Sequence, residues 1–551
     1  MTQVKSVRSV LICALFAAAL CGVGASGSTE AGAQEAKRVD TAGVIRVAPP
    51  APVWVEGERL AELSARRARV AELAGPNSVL VLLSAEPRVY TGDVDYEYRQ
   101  ENNLYYLTHL NQPRMTLVLM PGHGRHREVL FMPRPNPARE VWEGKMYTPE
   151  EAHRLSGVGE IWEAAEFEPL MATLLDRKPY RPKPESVLLS AAGQGARPPG
   201  GTQAAAGQPT QNAGADSTGY ETLFAAMGRK EAWLFMLPPP GRDAREFGRE
   251  KEAAARWSKP DAGLTVQSAW PIFSRLRLVK SPAEVRLIQH AVDITAEGIG
   301  RAMAAAPRAR WEYELEAEVE YAFRRGNALA GYPSIVACGP NATILHYTES
   351  AGPCRPGDLL LMDVGAEFGH YSADVTRTVP ISGRFTREQA DIYNAVLAAQ
   401  EAAMLAARPG ATLADVHSAA VNSLKDSLLR LGLITDRNST QHGVWFMHGT
   451  SHWLGMNVHD VGANNARLEP GMVFTIEPGI YVRADALDRL PKTDAWQKFA
   501  EAVRPAFEKY KNIGVRIEDD VVITADGHRN LSAAIPRTVA DIEGFMARAA
   551  K

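Results

Sequence analysis

In the C-terminal part of this chain, apolar runs keep ending on acids. Leu359-Leu360-Leu361-Met362 closes on Asp363, Met472-Val473-Phe474-Thr475-Ile476 closes on Glu477, and Val515-Arg516-Ile517 leads into Glu518. Short runs of this kind, rich in branched residues and bounded by turn formers, read as strands. A carboxylate closing a buried strand is costly unless it is paired or bound to a metal. A chain that repeats the arrangement must fold so that the acids share a partner.

The local sequence supplies the means. Phe368-Gly369-His370 forms a turn after Asp363, and Tyr371 to Val379 returns as a strand carrying Asp374. Such a hairpin sets Asp363 beside Asp374 across paired strands. Two carboxylates that close repel, and a divalent cation between them removes the repulsion; the plainer alternative makes each a turn or N-cap residue. In Val515 to Val521, strand alternation puts Arg516, Glu518 and Asp520 on one face. An inward Arg beside an inward Glu reads as a buried ion site, the alternative being a solvated edge strand. Histidines cluster as well: of 13 in the chain, His448, His452 and His459 fall in one window, where Gly449 and Gly455 argue for loop or strand over helix.

Asp363, Asp374, His452, Glu477 and Glu518 together are four carboxylates and one imidazole. That hard, oxygen-rich set suits manganese, cobalt or iron better than a thiolate-rich zinc site. Five side chains exceed the needs of one open catalytic metal, and two metals bridged by shared carboxylates fit better.

At 551 residues the chain exceeds one ordinary core. Its net charge of -3 leaves no basic footprint for nucleic acid. Lys5 and Arg8, the apolar run Val10 to Ala25 and the small residues Ala31-Gly32-Ala33 read as a signal peptide over 1–33, with Val23-Gly24-Ala25 an alternative cleavage site. The run is short for a membrane span, so export without stable membrane insertion is expected, to the periplasm or beyond. Of the 4 cysteines, only Cys338 and Cys354 lie outside this segment. Two unpaired, mostly buried thiols are expected, with a single disulfide as the alternative in an oxidising compartment.

A flexible leader is expected over 34–52. Val79 to Leu83, Met115 to Met120 and Val129 to Met132 read as strands among helical stretches, which gives an α/β N-terminal domain over 53–275. Residues 190–219, rich in Gly, Ala, Gln, Pro and Thr, read as a disordered insertion. A second domain, α+β, spans 276–551. Ser281-Pro282-Ala283-Glu284 predicts a capped helix start, Thr386 with Gln389 a second, and Thr412 a third.

Several segments carry a resemblance: Ile344 to Glu349, Met362 to Glu367, His448 to Gly462, Thr475 to Tyr481 and Val515 to Asp520, in order, with Tyr98 to Thr108 in the N-terminal half. On these the chain resembles the pita-bread metallopeptidases, and within them the Xaa-Pro aminopeptidase (aminopeptidase P) family. The resemblance implies a C-terminal pita-bread catalytic domain behind an α/β N-terminal domain. It implies that Asp363, Asp374, His452, Glu477 and Glu518 ligate two divalent metal ions, manganese foremost. It implies that Glu477 is also the general base, that His459 stabilises the oxyanion, that His346 contacts substrate, and that His448, Tyr481 and Arg516 support the site. Substrates would be peptides with proline at position two, and the enzyme a homo-oligomer, dimer or tetramer. Prolidase, acting on Xaa-Pro dipeptides, is the nearest alternative; Tyr98-Arg99-Gln100 favours aminopeptidase P. A catalytically dead binding protein on this fold would be expected to have lost ligands, and all five are present.

Overall fold

The computed structural model describes residues 43–190, 218–238 and 248–550. The expected signal peptide, the start of the leader and nearly all of the expected insertion lie outside the described residues.

The N-terminal half is built on a seven-stranded mixed sheet. Its order is Val187–Ser190, Glu160–Glu163, Glu128–Met132, Thr116–Leu119, Ser78–Leu83, Ala232–Met236, Leu264–Ser268. Ser78–Leu83 runs antiparallel to Thr116–Leu119 and parallel to Ala232–Met236. The sequence alternation becomes two cores. Leu80, Leu82, Leu117, Leu119, Leu130 and Met132 face one way, and Val79, Val81, Val118, Val129 and Phe131 the other. Both faces are covered, which is why Ser78–Leu83 reads as a continuous apolar run.

The C-terminal half is α+β, as expected, with small antiparallel ladders under long helices. Leu359–Val364 is the middle strand between Ile335–Cys338 and Val375–Pro380. Val473–Ile476 pairs with Asp519–Ile523, and Gly479–Tyr481 with Gly514–Arg516. The three predicted caps all form. Ser281, Thr386 and Thr412 open the helices Pro282–Ala305, Arg387–Ala406 and Leu413–Leu431 with reciprocal capping boxes. Each box satisfies N–H groups that a helix start leaves orphaned. The long stretch Ala484 to Lys511 contains the helix Asp494–Tyr510, which buries Phe499, Val503, Phe507 and Tyr510 in the C-terminal core.

Three readings need correction. Cys338 and Cys354 form a disulfide, their Cα atoms 5.3 Å apart, and are not free thiols. The Cys354 N–H donates to Arg310 O, and this anchor brings the returning loop beside the strand that ends at Cys338. Residues 43–52 carry no helix or strand, yet they are not loose. Ala48 N–H donates to Glu297 Oε2 at 2.9 Å, and Val44 and Ile45 pack on the core. Finally, two predicted strands are each broken in two, at Ala373-Asp374 and at Ile517-Glu518. Among the described residues, no helix is long and apolar enough to cross a membrane.

Candidate metal centre

The breaks in the ladders are what expose the acids. Glu477 and Pro478 lie where one strand leaves the ladder with Asp519–Ile523 and enters the ladder with Gly514–Arg516; Ile517 and Glu518 are the matching break on the opposite strand. Both glutamates leave the backbone at this double break. Asp374 also sits at a break, between Tyr371–Ser372 and Val375–Pro380. Its N–H is therefore free of the ladder and donates to Asp520 Oδ2 at 3.0 Å. Asp363, by contrast, stays within its strand, opposite Ile335 and Thr376. His452 is pinned to the strand beside Glu477: its N–H donates to Thr475 Oγ1 at 3.2 Å, and its carbonyl accepts from Thr475 N–H at 3.1 Å.

These placements converge. Asp374, His452 and Glu518 offer ligand atoms all within 4.8 Å of one another. His452 Nε2 lies 3.2 Å from Asp374 Oδ2 and 3.5 Å from Glu477 Oε1. Tyr332 Oη lies 2.6 Å from both Asp363 Oδ1 and Asp374 Oδ1, which ties the fourth acid to the group. Alternation survives the strand break: Arg516 Nη2 donates to Asp363 Oδ2 at 2.5 Å, Glu518 Oε2 accepts from Thr376 Oγ1 at 2.6 Å, and Asp520 receives Asp374 N–H. Asp519, on the opposite face, pairs with buried Arg377 at 2.7 Å. A groove of about 690 Å³ lined by Pro49, Pro50, Arg286, Gln289 and Arg529 contains none of these ligands.

The electrostatics show what the cluster lacks. Burial pushes the Glu477 carboxyl up to about 8, with Asp374 adding to the rise and His452 opposing it. Burial and Asp363 raise Asp374, and burial with Asp374 and Glu477 raises Glu518 well above the carboxylate range. Burial and then Asp374 do the same to Asp520. So many buried acids cannot all ionise without cations. The single Tyr332 hydroxyl proton cannot serve two carboxylates at once, so a second proton or a cation belongs there.

The imidazoles are set by their carbonyl partners. His452 Nδ1 faces Trp453 O at 3.2 Å, so it carries a hydrogen, and Nε2 is turned into the acids. Burial lowers this imidazolium, but the bond and charge of Asp374 and the charge of Glu477 outweigh it and raise it to about 9. The proton on Nε2 stands where a cation would. His448 is the reverse case: burial, reinforced by Arg516, lowers it to about 4, so it stays neutral. Its Nδ1 donates to Gly449 O at 2.8 Å, so Nε2 accepts from the Tyr481 hydroxyl at 2.8 Å, which in turn accepts from Arg516 Nη1 at 2.9 Å. His459 is exposed, its ring 4.3 Å from that of His452 and edge-on to it. His346 lies on the exposed loop after Gly339–Thr343, close enough to His459 for its charge to be felt there. The five ligand candidates are thus brought together with His448, Tyr481 and Arg516, His459 packs against His452, and His346 is placed near His459 only. Tyr332 and Thr376 were missed. Tyr332 sits in an irregular segment with no pattern around it, and Thr376 looked like any strand residue. The donor set fits divalent metal ions: an imidazole lone pair and several oxygen donors, each oriented by a further hydrogen bond.

Comparison with known proteins agrees with this geometry. Residues 286–525 match metallopeptidase family M24, and residues 63–181 match the aminopeptidase P N-terminal domain. The chain is 32% identical to a Xaa-Pro aminopeptidase of Haemophilus influenzae, over 88% of this chain and 97% of the relative. It is 31% identical to a Xaa-Pro aminopeptidase of Escherichia coli, over 89% and 98%. Its fold is similar to that of a Pseudomonas aeruginosa aminopeptidase (TM-score 0.69, 30% identity, 90% of this chain and 99% of that one). It is also similar to E. coli aminopeptidase P with the inhibitor Pro-Leu (TM-score 0.70, 29% identity, 90% and 99%). The chain belongs to metallopeptidase family M24, in its aminopeptidase P branch, and is a metal-dependent hydrolase of peptides.

Proposed function

We infer that the protein removes the first residue of a peptide when the second is proline, with two divalent cations, manganese foremost, held by Asp363, Asp374, His452, Glu477 and Glu518. The observation that carries this reading is the placement of His452, whose Nε2 faces buried acids that cannot all be charged without cations. The whole-length relatives named above are aminopeptidases, and the N-terminal match is to aminopeptidase P itself, which does not favour prolidase.

When bound, the ions supply a hydroxide nucleophile near neutral pH and positive charge for the developing oxyanion. Glu477 takes a proton from the attacking water and returns it to the departing nitrogen. That return matters because a proline amide nitrogen carries no hydrogen of its own. His459, exposed beside His452, donates to the tetrahedral oxyanion. His346 meets the substrate from its loop, and His448 supports Glu477 from 3.5 Å. The basic and then apolar N-terminal segment supports export to the periplasm or beyond. A disulfide suits such an oxidising compartment. The family resemblance supports a homo-oligomer.

The test is a manganese-supplemented panel of Xaa-Pro-Yaa tripeptides and Xaa-Pro dipeptides, with Glu477→Ala as control. Tripeptide cleavage is expected, and the variant should lose turnover by about a hundred- to ten-thousandfold. Cleavage of dipeptides alone would make the protein a prolidase.

A further inference from the structure

The N-terminal run Tyr98 to Thr108 helps to identify the family, but the chemistry above gives it no task. Its contacts supply one. Arg99 Nη2 donates to Met456 O at 2.7 Å, while its Nε grips Glu367 through both oxygens at 2.8 and 3.0 Å. Arg99 Nη1 donates to Asn102 Oδ1 at 2.9 Å, which orients that amide so that Nδ2 donates to Asn457 Oδ1 at 2.8 Å. Asn103 Oδ1 accepts from Arg277 Nη1 at 2.8 Å, and Arg277 Nη2 donates to Asp460 Oδ1 at 2.5 Å. Lys280 Nζ lies 3.4 Å from the other oxygen of the fully buried Asp460. Met456, Asn457 and Asp460 are therefore all held from outside their own loop, and they bracket His459.

The loop closes tightly on itself as well. Gly455 N–H donates to Asn457 O at 3.2 Å, and Asp460 N–H to Trp453 O at 2.8 Å. A Cβ on Gly455 would come within 2.2 Å of Asp460 Oδ2, so only glycine fits there. His459 itself is exposed, on a stretch with neither helix nor strand. An oxyanion donor works only when its hydrogen reaches a position about 2.7–3.1 Å away, and an error of about 1 Å costs roughly a hundredfold in rate. An exposed imidazole on irregular backbone needs its loop fixed by something else.

We propose that Arg99, Asn102 and Asn103 of the N-terminal domain are positioning residues for His459: they clamp the 455–460 loop, so that the two halves of the chain form one catalytic unit. The proposal rests on the reading of His459 as the oxyanion donor. None of the five metal ligands lies on the clamped loop, so loss of the clamp falls on turnover more than on metal binding.

The test is a double-mutant cycle on the manganese-loaded enzyme with an Xaa-Pro-Yaa tripeptide, using Asn102→Ala, His459→Ala and both together. Asn102→Ala is expected to lower kcat by roughly ten- to a hundredfold with KM and manganese content little changed. In the His459→Ala background the same substitution should change kcat by less than about twofold, because the two act through one group. Amide exchange at Gly455 and Asp460 should quicken in Asn102→Ala, and Arg99→Lys, which keeps the charge but not the fork, should give an intermediate loss of kcat. If Asn102→Ala keeps wild-type kcat, or its loss is undiminished without His459, the clamp is overturned. If His459→Ala alone keeps wild-type kcat, the role given to His459 falls, and the clamp with it.

Discussion

Glu477 and His452 show how a metal site can be recognised before any metal is seen. Both titrations are displaced upward, for different reasons. Burial holds the Glu477 carboxyl up to about 8, and its acidic neighbours hold the His452 imidazolium up to about 9 against the pull of burial. Both groups bind protons more tightly in the folded state than in the unfolded one. A carboxyl raised in this way favours folding below its unfolded value near 4.5 and loses that contribution as pH climbs towards 8. The imidazole loses its contribution as pH climbs from about 6.5 through 9. Metal-free protein should therefore become less stable between pH 5 and pH 9, and manganese should replace the missing positive charge. Thermal melting of chelator-treated and manganese-loaded protein checks this: the gap in Tm is expected to widen from pH 6 to pH 8. A constant gap would mean that the acids are not competing with metal for protons.

At the scale of elements, the disulfide and the loop it closes carry a separate expectation. Cys338 and Cys354, 16 residues apart, enclose the segment that bears His346. Buried Glu312 holds the same segment from inside, accepting from Cys338 N–H, Asn341 Nδ2, the Tyr347 hydroxyl and Gly352 N–H. A bridge closing a loop of this length is worth about 3 kcal/mol. Cys354→Ser should lower stability by about that amount in denaturant melts, and should lower kcat/KM for tripeptides more than it lowers metal affinity. An unchanged melting midpoint would show that Glu312 alone suffices. Much at this scale was legible in the sequence. Ser281, Thr386 and Thr412 announced their helices because a cap is a local device, decided within four residues. The apolar runs announced their strands for a similar reason. The breaks at Asp374 and Glu518 did not show, because they are set by long-range partners: Asp520 for the Asp374 N–H, and Thr376 O for the Glu518 N–H. The disulfide was misjudged on the same ground, since the pairing depends on how Cys354 returns past Arg310.

Across the whole molecule, the mixed sheet of the N-terminal half and the small ladders of the C-terminal half meet at the histidine loop, through Arg99, Asn102 and Asn103. The ligands themselves come from separated places in the sequence, from Asp363 to Glu518, and only the complete C-terminal fold unites them. The account therefore stands on cations being the link between fold and reaction. The direct measurement is turnover of an Xaa-Pro-Yaa tripeptide by metal-free protein titrated with manganese. The account predicts negligible turnover without metal, and a rise that saturates as the second equivalent binds. Full turnover in the metal-free protein, or saturation at a single equivalent, would contradict it.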